Sequence, residues 1–262
     1  MLLTIDIGNS NIVLGLFNEK ELAGEWRITS HPYRTVDEYA ILMEDFFSLK
    51  KILPDQITRV ILSSVVPPLT PVFKEISEKY FAVSPLVVTD RLRLGLRFRY
   101  ENPAEIGADR LVNAVAGLHL YGAPLIIVDF GTATTFCSLS KEGEYRGGVI
   151  APGLNISAEA LFQRAAKLPR IELIRPETVI GKDTVSSMQS GILFGYVGLV
   201  EKLILKIREE TREKARVIAT GGLASLIAPE TSLIDEVNPN LTLEGLRIIY
   251  ELNKKKSGKG EK

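Results

Sequence analysis

Cysteine occurs once in the 262 residues, at Cys137, and histidine twice, at His31 and His119. A single thiol forbids an internal disulfide and fits a reducing cytoplasm, where such a chain is expected to work. The two histidines stand far apart, with no cysteine or carboxylate cluster near either, so the pattern does not support a zinc site. Neither sign of charge is in excess: 32 Lys and Arg balance 32 Asp and Glu, which leaves no global field to attract nucleic acid or an anionic membrane. Long apolar runs are missing as well. The stretch Gly191 to Val200 is stopped by Glu201 and Lys202, too short to span a bilayer. The chain opens directly on a strand-like run, with no basic segment or cleavage site, so no signal peptide is expected. There is no Walker A motif, because Gly181-Lys182 is followed by Asp183, and P-loop chemistry is disfavoured.

What remains is a globular chain, 45% hydrophobic and long enough for two domains. Its centre is DFGTATT, Asp129 to Thr135, directly after the apolar run Leu125 to Val128. A buried strand here delivers a carboxylate into a glycine turn backed by threonine hydroxyls. Such a turn suits phosphate and a cation: glycine lets backbone N–H groups approach an anion, and Asp129 can hold the positive ion. One Asp-x-Gly turn is often purely conformational. However, LLTIDIGNSNIVLGLF, Leu2 to Phe17, aligns without gaps on LIIVDFGTATTFCSLS, Leu125 to Ser140, with Asp6 over Asp129 and Gly8 over Gly131. Each copy reads as a hairpin with a functional turn, and the repeat implies two similar domains that could grip a polyphosphate across a cleft.

Between and beyond the repeats the apolar spacing predicts an α/β alternation. Helices are expected over Val36 to Lys51, Val72 to Phe81, Tyr100 to Gly122, Ser157 to Lys167 and Val185 to Glu210. Strands are expected at Arg59 onward, Leu86 to Val88, Glu144 onward, within Lys167 to Leu173, and at Arg216 to Thr220. Asn102 and Pro103 read as the start of the connecting helix, which carries Asp109 and Arg110 beside the small Gly107 and Ala108. Asp183 or Thr184 reads as the N-cap of the long helix. On that helix Gly191, Gly195 and Gly198 favour tight packing, including against a partner subunit. Thr220-Gly221-Gly222 ends a strand in a turn open to a ligand. The domains expected are 1–122 and 123–252, followed by a disordered tail at 253–262.

Taken together, DIGNSN at Asp6, Tyr100 with the run ending EIGADR, DFGTATT at Asp129, GGVIAPG at Gly147, AKLPRIEL at Ala166, IGKDT at Ile180 and ATGG at Ala219 resemble the type III pantothenate kinases. That family belongs to the actin, sugar kinase and Hsp70 ATPase superfamily. Ser10 stands where the family more often has Thr and keeps the hydroxyl. The resemblance implies two duplicated ribonuclease H-like domains and ATP-dependent phosphorylation of pantothenate to 4′-phosphopantothenate, the first step towards coenzyme A. It implies that Asp6, Ile7, Gly8, Asn9, Ser10, Asn11, Ile12 and Val13 bind ATP phosphates and that Thr132 contacts ATP. It places a monovalent cation, potassium or ammonium, on Asp129. It matches Tyr100, Gly107, Ala108, Asp109, Arg110 and Thr184 to substrate contacts, takes Asp109 as the base, and implies a homodimer.

The residue chemistry is consistent with that expectation. Phosphoryl transfer asks for positioning and charge neutralisation more than covalent work. Asp6 would fix Mg²⁺ through water, and Arg110 would meet a substrate carboxylate or the transferring group. Two alternatives stay open at this stage: a kinase of the same superfold with another small acceptor, and a regulatory relative that binds without catalysing.

Overall fold

The computed structural model describes residues 1–254. The chain forms two compact units. Of the described residues, the first comprises Met1–Leu96, Asn102–Ala116 and Thr242 to Lys254; the second comprises Arg97–Glu101 and Gly117–Leu241. Each is built on one sheet.

In the first unit β1 (Leu2–Ile7), β2 (Asn11–Asn18) and β3 (Glu21–Thr29) form an antiparallel meander. Next, β4 (Arg59–Ser64) and the two-residue β5 (Leu86–Val87) add in parallel beside β1, giving the order β3-β2-β1-β4-β5. Alternation along the strands sends Leu3, Ile5, Ile7, Ile12, Leu14, Leu16, Val60 and Leu62 to one face. There they meet Tyr39, Met43 and Phe47 of α1 (Val36–Leu49) and Leu69, Phe73 and Ile76 of α2 (Leu69–Phe81), all inaccessible to water or nearly so. Each fully buried aliphatic or aromatic side chain in such a layer stabilises the fold by roughly 1.5–3 kcal/mol. A capping box starts α1, with Thr35 and Glu38 bonding each other's backbone N–H.

The opposite face of this sheet is covered by the start of α3 (Ala108–Tyr121) and by α7 (Leu241–Asn253). Gly15 of β2 is glycine because a Cβ there would lie 2.9 Å from Leu243 Cδ1. Gly245 lets α7 meet α3, since a Cβ would stand 2.4 Å from the Val112 carbonyl oxygen.

The second unit repeats the plan. Here β7 (Leu125–Phe130), β8 (Ala133–Leu139) and β9 (Glu144–Pro152) form the meander. Parallel to β7 run β10 (Arg216–Thr220) and β11 (Glu236–Val237), while β6 (Arg97–Phe98) adds beyond β9, so the order is β11-β10-β7-β8-β9-β6. On the Ile126, Val128 and Phe130 face lie α4 (Leu154–Arg164), the 28-residue α5 (Thr184–Thr211) and α6 (Ala224–Ile227). The last turns of α3 cover the other face, where Gly117 meets Ile127 and Leu125. The duplicated ribonuclease H-like plan that the resemblance implies is thus present, five strands of each sheet corresponding and β6 being an addition to the second.

Several expectations need correcting. The two hairpins do not match without a gap: Ile7 pairs with Ile12 across one turn, whereas Phe130 pairs with Thr134 across the other, which is one residue shorter. Beyond the turn, Val13 therefore corresponds to Thr135. The helix expected from Tyr100 is broken. Pro103–Glu105 forms a 3₁₀ turn, Ile106 is extended and buried, and α3 begins only at Ala108. Asn102 spends its side chain on Glu105 Oε1 rather than on a cap. As a result Asp109 sits in the first turn of α3. Lys167 to Leu173 forms no strand and belongs to neither sheet. In the division into compact units, α7 from Thr242 on falls with the first. Asn253 closes α7, its side chain bonding both the N–H and the carbonyl of Arg93. The remainder of the expected tail, 255–262, lies outside the described residues.

Candidate functional site

In the first unit the chemistry gathers where the parallel strands β1 and β4 end, the usual ligand end of an open α/β sheet. Asp6 occupies the next-to-last position of β1. The turn after it is closed by the Gly8 N–H to the Asn11 carbonyl at 3.0 Å. It is also braced from outside, for the Ser30 hydroxyl donates to the Gly8 carbonyl and the Ser30 N–H to the Ser10 carbonyl. Asn9 and Ser10 remain exposed at its tip. The turn is therefore fixed by internal hydrogen bonds, with the polar Asn9 and Ser10 at its exposed tip.

Ser63, paired with Asp6 across the parallel register, is fully buried and donates from its hydroxyl to Asp6 Oδ1 at 2.6 Å. Burial pushes the Asp6 pKa up to about 6; the Ser63 hydrogen bond and the Arg27 charge oppose that rise, and the negative Asp109 adds to it. Asp6 and Asp109 are thus brought into one electrostatic environment. A hard divalent cation, which takes oxygen ligands, fits a half-buried carboxylate of this kind, because the cation offsets both the desolvation and the like charge.

Asp109 is poised by its position at the start of α3. Its Oδ1 accepts the Arg110 backbone N–H at 2.8 Å, and burial raises its pKa against the lowering effects of that bond and of the Arg110 charge. A carboxylate with raised pKa holds a proton better and is better suited to act as a base. Gly107 leaves the carboxylate its present place, since a Cβ there would lie 2.5 Å from Asp109 Oδ1. Arg110, 7% exposed, turns into the protein.

The second unit holds the other predicted residues. Asp129 is next to last in β7, with Thr135 opposite on β8 and Thr220 alongside on β10. Gly221, at φ +90°, leaves space beside it: a Cβ would lie 2.5 Å from Asp129 Oδ1 and 2.7 Å from the Phe130 backbone. The Thr132 and Gly131 carbonyl oxygens approach Gly153 so closely that a Cβ there would come within 2.2 and 2.7 Å of them. Gly221 thus leaves the Asp129 carboxylate its room, a hard oxygen donor of the kind a cation takes. Tyr100 packs edge-on against Tyr145, ring centroids 6.0 Å apart, and beside Gly147. Thr184 opens α5 behind Asp183, whose carboxylate caps the Ser186 N–H at 2.9 Å. It lines a cavity of about 770 Å³ with Leu161, Lys182, Met188 and Gly191, and neither Tyr100 nor Asp129 reaches that cavity. Among the described residues no cluster of three or more His, Cys, Asp or Glu could hold a metal, and no helix is long and apolar enough to cross a membrane.

The type III pantothenate kinase family profile matches residues 2–206. The chain belongs to this family. A type III pantothenate kinase from Citrifermentans bemidjiense is 56% identical over 254 residues, covering 97% of this chain and all of that protein. At the level of fold alone, two solved structures are similar. A Campylobacter jejuni protein described as a Baf-family transcriptional activator has TM-score 0.61 and 16% identity, over 95% of this chain and 97% of that one. MreB 5 of Spiroplasma citri, bound to AMPPNP, has TM-score 0.53 and 12% identity, over 95% and 96%. The type III pantothenate kinase motifs at Asp6, Asp109 and Asp129 fall on strand ends and a helix start, the positions from which a carboxylate can project into a ligand site. Two serines here, Ser63 on Asp6 and Ser30 on the turn after it, are not apparent from the local sequence. Ser63 and Ser30 are single serines, and only the strand pairing reveals them; the one available signal was a hydroxyl pair ending a buried strand, Ser63-Ser64.

Proposed function

We propose that this chain transfers the γ-phosphoryl group of ATP to the terminal hydroxyl of pantothenate, with Asp109 as the base that receives the hydroxyl proton. The observation that supports this reading is that Asp109 acts electrostatically on Asp6, with Asp6 beside the Gly8 to Asn11 turn and Asp109 at a helix start with a raised pKa. In this reading residues Asp6 to Val13 bind the phosphates. Asp6 would hold Mg²⁺, which when bound neutralises phosphate charge. Asp129, beside Gly221, would hold a monovalent cation, potassium or ammonium, with Thr132 contacting ATP. Gly107, Ala108 and Arg110 line the acceptor side, where Gly107 leaves Asp109 its place and Arg110 offers charge to the substrate carboxylate. Tyr100 and Thr184 are further substrate contacts.

The homodimer belongs to the same proposal. Apart from the helix's own backbone and adjacent residues, nothing among the described residues comes within 4 Å of a Cβ built on Gly191, Gly195 or Gly198, so this face of α5 is open to a second copy. The cytoplasm, where coenzyme A precursors are made, is the expected location.

Replacing Asp109 by Asn tests the reading. Turnover should fall by about 10²- to 10⁴-fold, the usual contribution of a positioned base, with ATP still bound and the protein still folded. Pantothenate-dependent release of ADP should rise on adding potassium. Near-normal turnover in the Asn variant refutes Asp109 as the base, and ATP binding without any pantothenate-dependent ADP supports a regulator instead.

A further inference from the structure

The site as read so far is short of positive charge. Asp6 and Asp109 are carboxylates, the turn Gly8 to Asn11 carries no cation, and Arg110 is buried beside Asp109. A triphosphate needs its oxygens met by cationic groups as well as by a metal.

The strand register points to one. Ser63, Asp6, Val13 and Arg27 stand side by side on β4, β1, β2 and β3. Residues directly opposite on neighbouring strands project from the same face, so Arg27 emerges on the side of the sheet that carries Asp6. Two strand spacings separate their backbones, about 10 Å, and the Arg27 charge acts on the Asp6 carboxyl. Arg27 is exposed and, among the described residues, forms no hydrogen bond or ion pair. Several arginines elsewhere are engaged instead: Arg146 pairs with Glu213, Arg175 with Glu230 and Arg216 with Glu236. The strand bearing Arg27 is also tied to the turn, because Ser30, just past its end, bonds the backbone of Gly8 and Ser10.

We propose that Arg27 is a phosphate-binding residue, its guanidinium taking non-bridging oxygens of the ATP phosphate chain from the β3 side of Asp6. The planar fork matches phosphate, and an unpaired guanidinium gives up no internal partner to bind it. This assignment rests on reading Asp6 to Val13 as the nucleotide turn.

The experiment compares wild type, Arg27→Gln, Arg27→Lys and Asp6→Asn by calorimetric titration with MgATP, by steady-state kinetics and by thermal melting. Arg27→Gln should weaken ATP binding about tenfold or more, the effect of losing a charge-assisted hydrogen bond. Its KM for pantothenate and its melting temperature should match wild type, because the side chain is exposed. Arg27→Lys should recover part of the loss as a point charge. Unchanged ATP affinity in Arg27→Gln, with Asp6→Asn weakened, overturns the Arg27 assignment and leaves the nucleotide turn standing. A lowered melting temperature, or an equal loss of affinity for pantothenate, overturns it in favour of a structural role. If Asp6→Asn also binds ATP normally, both readings fall.

Discussion

Substituting Gly107 by Ala gives a sharp test of how tightly the proposed base is positioned. The added methyl would lie 2.5 Å from Asp109 Oδ1, about 1 Å inside ordinary contact, so one of the two must move. The carboxylate is the cheaper to displace, being the end of a side chain. Its displacement sacrifices the 2.8 Å bond from the Arg110 N–H, worth about 0.5–1.5 kcal/mol, and leaves the Ile106 anchor and the α3 backbone in place. Stability should therefore change little, and the melting temperature by no more than a few degrees. Turnover should suffer far more, because misplacing a reacting group by about 1 Å costs on the order of 10²-fold. Coupled ADP release at saturating pantothenate and ATP reads kcat, and a melt on the same preparation reads the fold. The combination Gly107→Ala with Asp109→Asn should be no slower than Asp109→Asn alone, since both act through one carboxylate. Wild-type kcat in Gly107→Ala, or strictly additive losses in the double variant, would refute the idea that Gly107 exists to seat Asp109.

Asp6→Asn should stabilise the empty protein at neutral pH while weakening ATP binding. The Asp6 pKa is raised to about 6 in the folded chain from 3.8, so the folded state binds the proton more tightly, and stability from this group is lost as pH climbs from about 4 to 6. The melting advantage of the Asn variant should therefore be full above pH 6 and vanish below about 4; an advantage independent of pH contradicts the assignment. In Gly221→Ala, the left-handed backbone costs about 1–2 kcal/mol and overpacking against the Phe130 backbone about 1–3 kcal/mol more. A visibly lower melting temperature and a higher potassium requirement are expected, and an unaltered potassium response argues against Asp129 as the cation ligand.

How much of this was legible in the sequence depended on range. The repeat was visible because each Asp-x-Gly turn and its flanking strands are local, and Asp183 as N-cap follows from chemistry within four residues. The single-residue difference between the hairpins was not, because turn length is set by how β2 and β8 pair back on β1 and β7. Ser63 and Arg27 join Asp6 only through strands that neighbour β1 directly or at one remove, a register no local pattern reports. The break at Ile106 is decided by where that side chain is buried, against the capping preference of Asn102 and Pro103. The docking of α7 on the first unit is the longest-range case, since nothing near residue 245 announces Val112.

The row formed by Ser63, Asp6, Val13 and Arg27 depends on odd and even counting along four strands at once. Inserting or deleting a single amino acid within any one of them would swing that strand's member of the row to the α1 and α2 side, however conservative the residue added. Length variation in this half of the molecule is thus confined to the connections, and lengthening a loop by protein engineering is tolerable where shifting a strand by one position is not.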